Sequence, residues 1–76
     1  MRELRLNDTE MEILYSLSAH GGTVSKDLIY EELQGISLPS TFDRALDRLT
    51  ILGFIDRSRD KVRMTLAGRH LMEELS

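Results

Sequence analysis

A chain of 76 residues has room for a single domain, 1–76, with a small core, since a protein of this size buries only about 60% of the surface its unfolded chain exposes. Its composition, 41% hydrophobic and 30% charged with no apolar run longer than three residues, excludes a disordered tail and a membrane span, and the absence of cysteine excludes disulfide staples, thiolate zinc sites and a thiol nucleophile. The net charge of −3 weighs against a nucleic-acid partner until it is divided along the chain: residues 1–38 carry three basic and seven acidic side chains, whereas Arg44 to Arg63 carries six basic and three acidic.

The opening stretch, Met1 to Leu6, alternates charge with leucine and lacks the apolar block of a secretory signal, which predicts a cytoplasmic location. Asn7, followed three residues on by Glu10, reads as the capping box of a first helix, with Leu6 and Met11 as its hydrophobic staple. That helix runs to about Ala19. On it Met11, Ile13, Leu14, Tyr15 and Leu17 spread over an arc of roughly 200°, wider than one neighbour covers. Gly21 and Gly22 end it, Thr23 and Val24 leave room for a very short strand, and Ser25 caps a second helix from Lys26 to about Gln34. The second helix is predicted to bury Leu28, Ile29 and Leu33 and to turn Asp27, Glu31 and Glu32 to solvent. Gly35 stops it, Ile36 and Ser37 form a tight turn, and Pro39 opens a third helix through about Leu52, with Phe42, Ala45, Leu46 and Leu49 on its buried face.

After Gly53 the apolar period changes from helical to alternating. Phe54 to Arg57 and Lys61 to Met64 read as the strands of a hairpin around Ser58, Arg59 and Asp60, with Val62 and Met64 inward and Lys61 and Arg63 outward. Thr65 then caps a last helix on which Met64, Ala67, Leu71 and Leu75 line one side, fraying at Ser76.

Three helices, a glycine-bounded turn between the second and third, and a basic hairpin after the third predict a mainly α fold with a small β-hairpin, a winged helix-turn-helix. The segments Leu38-Pro39-Ser40-Thr41-Phe42-Asp43-Arg44-Ala45-Leu46-Asp47-Arg48-Leu49, Gly53-Phe54-Ile55 and Val62-Arg63-Met64-Thr65-Leu66-Ala67-Gly68-Arg69 resemble the DNA-binding core of PadR-like and MarR-like transcriptional regulators. The likeness spans residues 8–75 and lies in joint order and spacing rather than in one motif. It implies a recognition helix, a wing and the opening of a following helix for these segments, and a small transcriptional regulator that binds double-stranded DNA. Two departures stand out. Members of those groups add a long dimerising helix or flanking dimer-building helices, whereas one short helix leads here to Ser76, and Leu66 occupies a position that is normally polar. The broad apolar arc of the first helix predicts a homodimer built on helix 1, the Leu4 segment and helix 4.

The candidate site follows from the third helix. Ser40, Arg44, Asp47, Arg48 and Ile51 cluster opposite the Phe42 direction, on the face a major groove would meet. An arginine there reaches guanine O6 and N7, while Ser40 and Thr41 contact phosphate or a base edge. Arg44 and Arg48 are like charges one turn apart, so an anion between them is a natural partner; the plainer alternative is that Arg44 pairs with Asp47 as surface decoration. On the hairpin, Arg57, Arg59, Lys61 and Arg63 form a projecting basic ribbon suited to the sugar-phosphate backbone or a minor groove, or simply a charged edge that resists pairing with other sheets.

Catalysis finds little support. His20 and His70 stand apart without metal-ligand spacing, no glycine-rich phosphate loop is present, and Ser58-Arg59-Asp60-Lys61 matches SxxK by chance within a turn. The expectation is a non-catalytic protein without metal or cofactor. A second reading is a winged-helix protein-interaction module, in which the acidic first half, Ile51 and Leu66 matter more than the arginines. The two are separated by whether acidic or basic groups cover the face shared by the third helix and the hairpin.

Overall fold

The computed structural model of the chain describes residues 5–35 and 38–75. In chain order these form α1 (Asp8–Ala19), β1 (Thr23–Ser25), α2 (Lys26–Leu33), α3 (Pro39–Ile51), β2 (Ile55–Ser58), β3 (Lys61–Met64) and α4 (Leu66–Leu75). The fold is mainly helical with a small three-stranded antiparallel sheet, ordered β1-β3-β2. The Ile36–Ser37 turn, the Leu4 segment and the fraying end at Ser76 lie outside the described residues.

Each helix start uses the chemistry its letters supply. Asn7 Oδ1 accepts from the Glu10 amide at 2.8 Å and Glu10 Oε1 accepts from the Asn7 amide at 2.9 Å, completing the capping box. Ser25 caps α2 through the Asp27 amide at 3.2 Å, and Pro39 opens α3 without a side-chain cap. Thr65 Oγ1 accepts from the Gly68 amide at 3.1 Å and donates to the Gly53 carbonyl at 2.5 Å, so the start of α4 is tied to the end of α3. Between α1 and β1 the chain passes through Gly21 and Gly22 at φ 83° and 100°, a region closed to most side chains. Gly22 then accepts the Met64 amide at 2.7 Å and leads β1 onto β3.

The core lies between α1, α2, α3 and the inner face of the sheet. Ile13, Leu14, Leu17, Ile29, Leu46 and Leu49 are wholly buried in it. Because α1 touches α2, α3, α4 and β3, its wide apolar arc is used on several sides.

Three packing expectations are corrected. Tyr15 is 47% exposed, at the margin of the α1 arc. Leu28 is exposed, because α2 packs along Ile29 and Leu33 and its second flank is taken by Tyr30, whose ring meets Phe42 edge-on at 5.4 Å between centroids. On α4, Ala67 and Leu75 are exposed while Gly68 is buried and Leu71 and Met72 are half-buried. The helix approaches the hairpin most closely where it has no side chain, which rotates its packed stripe onto Gly68, Leu71 and Met72.

The hairpin register pairs Ile55 with Met64, Asp56 with Arg63, Arg57 with Val62 and Ser58 with Lys61. On the other side of β3, Ser25 lies opposite Lys61, so only Arg59 and Asp60 extend beyond the three paired strands. Even that tip is fastened, since the Lys26 amide donates to the Asp60 carbonyl at 2.7 Å. The short ribbon expected from the sequence to project is thus laced to the body along its length. Arg59 turns the chain at φ 56°, a conformation that costs a non-glycine residue about 1–2 kcal/mol.

Candidate functional site

The outward face of α3 carries the groups expected there. Ser40, Thr41, Arg44, Asp47, Arg48 and Ile51 are exposed, the last at 84%, while Phe42, Ala45, Leu46 and Leu49 are buried on the opposite side. Where the start of α1 meets this face lies a groove of about 450 Å³ lined by Asn7, Glu10, Thr41, Arg44, Arg48 and Ile51, with Ala45 and Asp47.

The cations on α3 and the hairpin divide into two sets. Arg48 Nη1 donates to Glu10 Oε1 at 2.7 Å and its Nη2 to the Arg5 carbonyl at 3.2 Å. Arg57, in register with the inward-facing Val62, reaches from β2 to Asp47 Oδ1 at 2.7 Å. Arg63 lies opposite Asp56 in the sheet and pairs with it at 3.3 Å. These three are already answered by carboxylates. Among the described residues no ion pair engages Arg44, Arg59 or Lys61. Asp47, offered by spacing as the partner of Arg44, bonds Arg57 instead, so Arg44 keeps its charge toward solvent. Asp43, on the neighbouring flank of α3, is 3.7 Å from Lys26.

The four hairpin cations therefore do not share one face. Arg57 turns toward α3, Lys61 and Arg63 occupy the outer face of the sheet, and Arg59 stands at the tip. The face shared by α3 and the hairpin is mixed in sign: among the described residues Arg44, Arg59 and Lys61 are in no ion pair, and neither is Asp60 at the tip.

Sequence spacing gave Glu10 only a capping role. At 1% exposure it is also the buried carboxylate that holds Arg48. Spacing likewise left His20 apart, whereas its Nε2 is 2.8 Å from Glu32 Oε2 and Ser16 donates its hydroxyl to the other oxygen of the same carboxylate. The Ser16 hydroxyl and then the His20 ring hold the Glu32 carboxyl below its ordinary range, clamping α1 to α2 at the surface. Glu32 bridges the two side chains, one carboxylate oxygen to each.

A second hollow of about 540 Å³ lies between α1, the glycine turn and α4, walled by Tyr15, Met64 and Met72 with Arg69 and Glu73 on one side. Among the described residues no group of three or more His, Cys, Asp or Glu side chains converges as metal ligands. No described helix is long and apolar enough to cross a membrane. Comparison with protein-family models, with curated proteins and with solved structures gives no match.

Proposed function

We propose that this domain is a winged helix-turn-helix that binds double-stranded DNA in a sequence-specific way, as a small transcriptional regulator without catalytic activity, with α3 in the major groove and the β2–β3 hairpin on the flanking backbone. The observation that carries this reading is the outward face of α3: Arg44 has no ion-pair partner among the described residues and lies beside exposed Thr41 and Ser40. The order of helices and the β1-β3-β2 sheet, which sets the hairpin beside α3, support the same arrangement. In it Arg44 reaches a base edge, Ser40 and Thr41 meet phosphate or base at the helix start, and Arg59 and Lys61 attract the backbone. Arg48, Arg57 and Arg63 come to the duplex already paired, so their contribution is smaller or confined to position.

Titration against duplex DNA tests this directly. Arg44→Ala leaves the thermal midpoint nearly unchanged, since the side chain is exposed, and weakens binding to a preferred site by about 1–3 kcal/mol with a much smaller loss on unrelated duplexes. Replacing Arg59 and Lys61 together makes the dependence of log K on log salt shallower by roughly one to two units. An equal loss on every sequence would demote Arg44 to a phosphate contact.

The protein-interaction reading has its own support. Leu38 at 70%, Ile51 at 84% and Leu66 at 69% exposure place large apolar side chains on the surface. Under it the wild type has no measurable duplex affinity at low salt, and Arg44→Ala is silent there.

A homodimer through α1 and α4 belongs to the DNA-binding reading. Exposed Tyr15, Leu66 and Leu75 on those helices support it. Sedimentation at high micromolar concentration is expected to give twice the 8.7 kDa chain mass, and a concentration-independent monomer would remove the dimer.

A further inference from the structure

Glu10 is withdrawn from water to 1% exposure, and a carboxylate so placed persists where a cation and hydrogen-bond donors meet it. Arg48 does so at 2.7 Å, reaching across from α3, and its second terminal nitrogen is taken by the Arg5 carbonyl. A guanidinium has five N–H donors, so three remain after these two bonds, and the side chain is 47% exposed on the groove between α1 and α3. An arginine held at two points is poorly placed to swing its fork onto a guanine edge. It is well placed to receive an anion, because the ordering its donors require has already happened on folding.

The rest of the groove has matching chemistry. Thr41 and Arg48 lie two turns apart on the same helix face, with Arg44 between them. The two carboxylates that line the groove are both engaged, Glu10 by Arg48 and Asp47 by Arg57, which leaves the Arg44 charge in surplus. We infer that this groove is a seat for one phosphate group, hydrogen-bonded by Arg48 and Thr41 and attracted by Arg44, and that Glu10 is the positioning residue that fixes the Arg48 guanidinium. The phosphate comes from a nucleic-acid backbone or from free phosphate. The first source deepens the DNA-binding reading and rests on it, assigning Arg48 to the backbone and leaving base contact to Arg44.

Positioning and simple electrostatics predict opposite signs for one variant. Glu10→Met removes a negative charge from the groove, which by Coulomb attraction alone strengthens anion binding; if Glu10 positions Arg48, binding weakens instead. The double variant Glu10→Met/Arg48→Met leaves net charge unchanged and buries no lone carboxylate, which keeps the test open should a single variant unfold. Inorganic phosphate is titrated at low ionic strength while the amide resonances from Thr41 to Arg48 are followed. We expect saturable shifts in the wild type, weaker binding in Glu10→Met, and a loss on the order of tenfold or more in the double variant. Tighter phosphate binding by Glu10→Met, no saturation in the wild type, or an unaffected double variant overturns the assignment.

Duplex titrations separate the two sources. A uniform loss on all sequences in the double variant assigns the seat to the nucleic-acid backbone. Phosphate binding that obeys the pattern in a protein with no duplex affinity keeps the seat for free phosphate and removes the DNA-binding reading. Duplex binding without saturable phosphate shifts removes the seat and leaves that reading standing.

Discussion

Gly68→Ala lowers the thermal midpoint of the domain by about 12–24 °C, the effect of roughly 3 kcal/mol on a chain of this size. A methyl group at this position falls 2.2 Å from the Phe54 carbonyl oxygen, 2.8 Å from Met64 Cγ and 3.1 Å from the Phe54 carbonyl carbon. The methionine can yield. The backbone oxygen cannot easily do so, because it accepts the Thr65 amide at 3.0 Å while the Phe54 amide is bonded to the Leu49 carbonyl at 3.0 Å. Alanine in place of glycine favours a helix by about 1 kcal/mol, which the overlap with fixed backbone outweighs. Either α4 lifts from the hairpin or the end of α3 gives way. Gly35→Ala is the control, since a Cβ there meets nothing among the described residues within 4 Å and its φ is not in the left-handed region. The check is a thermal melt followed by circular dichroism. A Gly68→Ala midpoint within about 4 °C of wild type, the shift produced by 1 kcal/mol or less, would mean that α4 slides freely over Phe54.

The same contact explains what the sequence conveyed and what it did not. Helix starts were legible because Asn7, Ser25, Pro39 and Thr65 act on neighbours within three residues, and the hairpin was legible because Val62 and Met64 alternate with Lys61 and Arg63. The packed side of α4 was not. A stripe drawn through apolar letters gives no weight to a glycine, yet Gly68 is where backbone meets backbone. Glu10 presents the complementary case. It continues the spacing of Ile13, Leu14 and Leu17 back by one turn, so its burial was written in the period, but a carboxylate on a core stripe invites a local capping explanation. Its partner lies 38 residues away.

Charge pairing on the hairpin was beyond spacing for a related reason. The register set by the two-residue Arg59–Asp60 turn decides that Arg57 shares the inward side with Val62 and meets Asp47, and that Arg63 stands opposite Asp56. A count of basic residues along the chain treats all four as equivalent. The fold neutralises two of them.

Arg48→Met is expected to destabilise the domain by about 2–4 kcal/mol, because it leaves the Glu10 carboxylate buried without its cation. The value lies toward the lower part of the range for broken buried pairs, since Arg48 is 47% exposed and water can enter from its side. Glu10 Oε1 keeps the Asn7 amide, one hydrogen bond where two converged. The double variant Glu10→Met/Arg48→Met removes the stranded charge and fills the space with thioether carbon, so it recovers most of that loss and retains only the missing half of the capping box, about 0.5–1 kcal/mol. The expected order of stability in urea is wild type, then the double variant, then Arg48→Met. If Arg48→Met and the double variant unfold together, Glu10 is not captive to Arg48. A double variant that folds well but no longer holds phosphate separates what the pair does for the fold from what it does for the face of α3: the carboxylate needs a cation to remain buried, and the cation, once fixed there, is ordered for an anion before one arrives.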